Sequence, residues 1–217
     1  MNRLQRHFFI SSAALALATS GSACAEEFVP FGPDVEDETD ASGGDTDDVS
    51  SDDVPDVEQG YPAGPYGVGV GDTVADMTFT QHDGTNLALS DYFNDTGARL
   101  VLISTSAEWC SACREEQPLL QDLFNDYRDD GFRVMVTIFE DSNFSPADIS
   151  HVVEWRAQYR LSFNTVLDAG NSFSDFYDTS LTPMNMFVDT QTMQIVSLQT
   201  GAIAEDESRS LIEVFVD

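Results

Sequence analysis

The chain contains no lysine, and only three cysteines, three histidines and two tryptophans among 217 residues. Its nine basic residues are all arginine, against 39 Asp and Glu, which gives a formal charge of −30. With no basic face to displace counterions from phosphates, nucleic-acid binding is excluded. Attraction to anionic lipid headgroups is excluded by the same sign of charge. No run of 18 apolar residues occurs, so no conventional transmembrane helix is expected. Three cysteines are too few for a multi-disulfide scaffold. A structural zinc site around two cysteines needs two further ligands. Only His7, Cys24, His82 and His151 remain beside Cys110 and Cys113, so no metal or other cofactor is expected. What the chain does have is apolar mass: 41% hydrophobic residues with 15 Phe, enough for a core in one or two domains.

The charge is unevenly spread. Residues 1–25 carry two arginines and no acid, residues 26–58 carry 14 acids and no base, and residues 59–217 carry 25 acids and seven arginines. The first region reads as an export signal. A short head with Arg3 and Arg6 precedes the apolar stretch Phe8–Ala18, and small residues follow from Thr19 to Ala25. Ala23-Cys24-Ala25 fits ordinary signal-peptidase cleavage. Gly21-Ser22-Ala23-Cys24 instead resembles a bacterial lipobox, although Gly21 stands where an apolar residue is usual. Cys24 is therefore a candidate lipidation site, and the chain is expected in a bacterial periplasm or cell envelope, tethered or otherwise secreted.

Residues 26–67 read as an acidic, disordered linker. Repulsion and a scarcity of apolar side chains leave too little burial to offset ordering entropy. Its acidic pairs do not place both the Gly and the Glu of an EF-hand loop.

Residues 68–217 read as one α/β domain. Met77–Leu89 alternates around Asp83-Gly84 as a hairpin. Arg99–Thr105 and Phe132–Phe139 are continuous apolar runs of the kind found in strands buried on both faces. Ser111–Asp130 has helical apolar spacing and ends at Gly131. Ser145-Pro146-Ala147-Asp148 predicts a helix start capped by Ser145 with Pro146 in the first turn. Phe163–Leu167, Met184–Val188 and Gln194–Gln199 read as strands, Ser172–Tyr177 as a short helix, and Glu205–Phe215 as a closing helix with acids in its first turn. Strands alternating with helices predict a mixed β-sheet with helices on both faces.

Trp109-Cys110-Ser111-Ala112-Cys113 falls where a buried strand gives way to a helix. Cys110 at the helix start meets unsatisfied N–H groups and the positive end of the dipole, which favour a thiolate. Two intervening residues bring the sulfurs within bonding reach. Cys110 is expected to be exposed and nucleophilic, Cys113 sheltered and resolving. Trp109 is expected beside the site; His82 and His151 are expected in a turn and on a helix surface.

The run from Trp109 to Pro118 resembles the thioredoxin fold and, more narrowly, the exported TlpA/ResA-like (redoxin, AhpC/TSA-related) thiol–disulfide oxidoreductases. Leu181-Thr182-Pro183 is similar to that fold's cis-proline loop facing the cysteines. The resemblance spans about residues 68–217. It implies a redox-active Cys110–Cys113 disulfide, a proton acceptor for Cys113 at Glu116, a catalytic cis-proline at Pro183 facing the cysteines, and substrate-binding contacts from Trp109 and Thr182. Ser104 stands where thioredoxins carry a buried Asp, which leaves Glu116 as the matching carboxylate. The implied partners are exported proteins with disulfides and a membrane-bound or periplasmic thiol electron donor. A peroxidatic site would want Pro and Thr ahead of the cysteine, where Ile103 and Ala107 stand. The alternative is a thioredoxin-like binding or chaperone module whose disulfide is structural.

Overall fold

The computed structural model describes residues 60–216. The export signal over 1–25, Cys24, and the tether up to residue 59 lie outside the described residues. The elements run β1 (Thr78–Gln81), β2 (Asn86–Ala88), α1 (Leu89–Asn94), β3 (Leu100–Ala107), α2 (Ser111–Tyr127), β4 (Phe132–Glu140), α3 (Ile149–Tyr159), β5 (Asn164–Leu167), β6 (Met184–Asp189), β7 (Gln194–Thr200) and α4 (Glu205–Val216).

The strands form one sheet in the order β2-β1-β5-β4-β3-β6-β7. β3 pairs parallel with β4 and β4 with β5; the remaining pairings are antiparallel. This is the expected mixed sheet. Every residue of β3 is buried, as a continuous apolar run at a sheet centre requires. Alternate residues serve opposite faces. Leu100 and Leu102 join Leu120 and Leu123 of α2, Val152 and Trp155 of α3, and Ile212 of α4. Val101 and Ile103 join Tyr92 of α1, Phe79, Phe173 and Met186. Three long helices therefore cover one face, and α1 with the irregular segments covers the other. Each fully buried leucine in these layers contributes about 2 kcal/mol of apolar burial.

Several boundaries differ from the sequence reading. α2 ends at Tyr127 and tightens into a 3-10 turn over Arg128–Asp130 before Gly131. Gly131 has φ +105, and a Cβ there would fall 2.8 Å from the Gly97 carbonyl oxygen, so only glycine fits. α3 is capped not by Ser145 but by Asp148, whose carboxylate accepts from Ser150 N at 2.8 Å while His151 Nδ1 accepts from Asp148 N. Pro146 lies instead in an extended bridge to Glu140. Ser172–Tyr177 contains only a 3-10 turn, Ser174–Phe176.

Residues 60–67, assigned to the linker by sequence, pack against the domain. Tyr61 donates its hydroxyl to Val74 O at 2.8 Å, meets Phe93 edge-on at 5.8 Å, and joins the second core cluster. This stretch holds two Tyr and two Pro but no acid, so it lacks the like charges from which a disordered linker was expected.

Candidate active site

β3 ends at Ala107, and α2 begins at Ser111 with Cys110 as its N-cap. The Cys110 sulfur accepts from Cys113 N at 3.0 Å, so a helix-end amide that would otherwise lack a partner points at it. Cys110 and Cys113 are joined as a disulfide. Cys113 is fully buried, and its sulfur lies 4.0 Å from Thr105 O.

Cys110 is less open than the sequence suggested, with only 4% of its surface exposed. The loop before β6 lies over it: its sulfur sits 3.6 Å from Thr182 O. Trp109 and Ala112 pack against the same cluster. Thr182 therefore borders Cys110 by contact, and Trp109 borders it as the preceding residue.

The Thr182–Pro183 peptide is cis. Its loop is pinned from both sides. Gly201 N donates to Pro183 O at 2.7 Å, and Met184 N donates to the Thr105 hydroxyl at 3.0 Å. Thr105 thus ties the strand leading to the cysteines to the loop facing them. Thr182 closes the preceding turn by donating its hydroxyl to Thr179 O.

Glu116 lies one turn after Cys113 on α2, so both sit on the buried side of the helix. It is 3% exposed. Its Oε1 accepts from Asn185 Nδ2 and from Ile203 N, each at 2.8 Å, and Oε2 accepts from the Ser104 hydroxyl at 3.3 Å. Burial raises its pKa to about 7, even though all three donors favour the charged form. A carboxyl next to a thiol pair that changes protonation near neutrality is suited to proton transfer at that pH. Ser104, at the place of the missing Asp, does not replace an acid; it donates to one.

The indole of Trp109 donates to Glu140 Oε2 at 2.8 Å, meets Phe139 edge-on, and stacks on Phe144 with centroids 5.2 Å apart. Glu108, whose charge would oppose a thiolate, accepts from Ser142 N. Sequence reasoning missed Thr105, Asn185 and the Phe144 stack. The available signal was a polar residue inside a buried strand, which must find a partner; Asn185 is such a residue in Met184–Val188.

A cleft of about 190 Å³ between α2 and α3 is lined by Glu108, Arg114, Glu154 and Tyr159 among others, and by neither cysteine. Among the described residues no three His, Cys, Asp or Glu side chains gather to hold a metal ion.

A thioredoxin-like α/β sheet with a Cys-x-x-Cys pair at a helix start, facing a cis-proline loop, defines a redox protein of the thioredoxin class. Residues 70–198, more than half of the chain, match the AhpC/TSA family. The chain belongs to that family and is an oxidoreductase. It is similar to the thiol-disulfide oxidoreductase ResA of Geobacillus kaustophilus, 22% identical over 67% of this chain and 78% of that protein. Among solved structures it is similar to a DsbE-type thiol:disulfide interchange protein from Chlorobium tepidum, with TM-score 0.55, 21% identity, and 68% and 97% of the two chains covered. A third likeness is to the exposed lipoprotein thioredoxin Etrx1 of Streptococcus pneumoniae, with TM-score 0.51, 19% identity, and 65% and 100% covered. The TlpA/ResA-like, α/β reading of the motif is borne out by these matches.

Proposed function

We propose that this protein exchanges disulfides with exported proteins through Cys110 and Cys113. The observation that carries the reading is the Cys110 sulfur at the N-cap of α2, accepting an amide hydrogen bond and lying under the cis-proline loop. In the reducing direction the Cys110 thiolate attacks a substrate disulfide. A Cys110–substrate bond forms, and the substrate's other sulfur leaves as a thiolate. Cys113, losing its proton to Glu116, then attacks Cys110. The intramolecular disulfide forms, the second substrate sulfur leaves, and two electrons have passed from the protein to the substrate. A thiol donor of the same compartment restores the dithiol by the reverse exchange. Trp109 and Thr182 flank the entering sulfur. Reduced full-length protein mixed with excess insulin should release two thiols per chain and end as the Cys110–Cys113 disulfide. Release of none would refute the exchange reading and favour the binding-module alternative.

The place of action follows from the first 25 residues, with Cys24 as lipid anchor and residues 26–59 as tether. The pneumococcal structural relative is itself an exposed lipoprotein. Among the described residues no helix is long and apolar enough to cross a membrane. A Cys24→Ala variant should move from the membrane fraction to the soluble one. A wild-type protein found soluble with Glu26 as its first residue would show ordinary secretion instead.

A further inference from the structure

We propose that the mouth of the Cys110–Cys113 pair is a docking surface for a polypeptide whose cysteine is flanked by apolar and basic residues. Phe144 and Leu181 supply its apolar contacts, Asp141 and Asp178 its charges. The inference rests on the exchange reading above and names the substrate class that reading leaves open.

Single exposed apolar side chains are ordinary on protein surfaces. These two are placed differently. Phe144 is 67% exposed and stacks on Trp109, the residue before Cys110. Leu181 is 55% exposed and precedes Thr182, whose carbonyl oxygen lies 3.6 Å from the Cys110 sulfur. Phe144 thus lies against the residue preceding Cys110, and Leu181 is joined to the residue whose carbonyl oxygen meets the Cys110 sulfur. Phe144 also sits at φ +61, a left-handed conformation that is rare for a bulky residue. Asp141 holds that conformation by accepting from Asn143 N and Ser145 N.

Each apolar side chain has a carboxylate beside it. Asp141 begins the loop that carries Phe144, and Phe144 N donates to Asp141 O. Asp178 begins the turn that carries Leu181, and its side chain accepts from Ser180 N. The Ser145 and Asn143 amides around Asp141, and the Ser180 hydroxyl and amide around Asp178, hold both carboxyls below the usual carboxylate range, so both stay charged at neutral pH. Arg114, the residue after Cys113, shares its cleft with Glu108 and Glu154, and His151 acts on Asp141. With 25 acids against seven arginines from residue 59 onward, the surrounding field attracts cationic chains and repels anionic ones. An acidic cystine peptide meets repulsion here, and a neutral polar one meets no matching contact.

The test uses pre-reduced full-length protein in single turnover against four disulfides. These are hydroxyethyl disulfide, a cystine peptide flanked by Phe, Leu and Arg, the same peptide with Asp for Arg, and one flanked by Ser and Gly. The Phe/Leu/Arg peptide should react about tenfold faster than the Ser/Gly peptide and faster still than the Asp peptide. The gap between the Arg and Asp peptides should shrink in 0.5 M salt, at roughly twice the screening of physiological buffer. Rates are compared as ratios within each protein, so any loss of folded enzyme cancels. The Phe144→Ser/Leu181→Ser double variant should bring the first ratio to about 1–2, and Asp178→Asn should narrow the Arg/Asp gap. Equal peptide rates in a wild type that reduces hydroxyethyl disulfide would overturn the docking surface alone. So would a ratio that survives the double variant. Failure to reduce any of the four would overturn the exchange reading itself.

Discussion

A Cys113→Ala variant should accumulate covalent adducts with substrate proteins, and a Cys110→Ala variant should accumulate almost none. The asymmetry follows from the helix start. Cys110 is the N-cap of α2 and receives the Cys113 amide at 3.0 Å, so its thiolate is stabilised where a substrate sulfur can arrive. Cys113 is fully buried behind it, against the Thr105 carbonyl. Without Cys113, nothing inside the protein can displace the substrate, and the mixed disulfide persists. Multiple-turnover reduction should fall on the order of 10³-fold or more in either variant, because the two sulfurs act as one unit. Separation on non-reducing gels, with mass spectrometry of the adducts, distinguishes the two. Adducts forming mainly through Cys113 would reverse the roles.

Glu116→Gln should affect stability and rate in opposite senses. In the oxidised protein the Glu116 carboxyl titrates near 7, whereas its ordinary value is 4.5. Folding therefore binds a proton between these values, and Glu116 costs stability as pH rises through the window. Its contribution is most favourable below about pH 4.5 and is lost above about pH 7. A difference of this size corresponds to about 3 kcal/mol. Glutamine keeps an oxygen for Asn185 and Ile203 and offers its amide to the Ser104 hydroxyl, but carries no charge. At pH 8 the variant should unfold at a temperature higher by roughly 6–12 °C, and at pH 5 the gap should nearly close. Thiol exchange, without the proposed proton acceptor, should slow by about 10²-fold, and its pH dependence near neutrality should flatten. A stability gap that does not change between pH 5 and pH 8 would show that Glu116 does not titrate in that window.

How much of this was legible beforehand depended on the range over which each residue acts. The runs around Leu102 and Val136 announced central strands because burial on both faces leaves no polar alternation. The cysteine pair and the Thr182-Pro183 loop were legible as short patterns, and the first sits at a strand–helix junction that the apolar spacing also marks. The surroundings of Glu116 were not legible. Its partners Asn185 and Ile203 come from distant parts of the chain, and no local rule pairs them. Three positions show local competition instead. Asp148 outcompetes Ser145 as the cap because its carboxylate reaches Ser150 N and His151 completes the box. Tyr61 packs because Val74 O and Phe93 meet it, which composition alone does not foretell. Cys110 is covered because the loop ending in Pro183 folds over it, a consequence of sheet order β3-β6 rather than of the motif.

In the proposed exchange, Cys110 is the attacking thiolate of an exchangeable pair. The measurement that tests it most directly is the rate of alkylation at each cysteine in the reduced, folded protein, followed by mass spectrometry across pH. The arrangement described here requires Cys110 to be labelled quickly at neutral pH, with Cys113 following only slowly. Faster labelling of Cys113 would contradict the assignment. A pair that resists reduction and labelling until the protein is unfolded would mark a buried structural disulfide and contradict the exchange function.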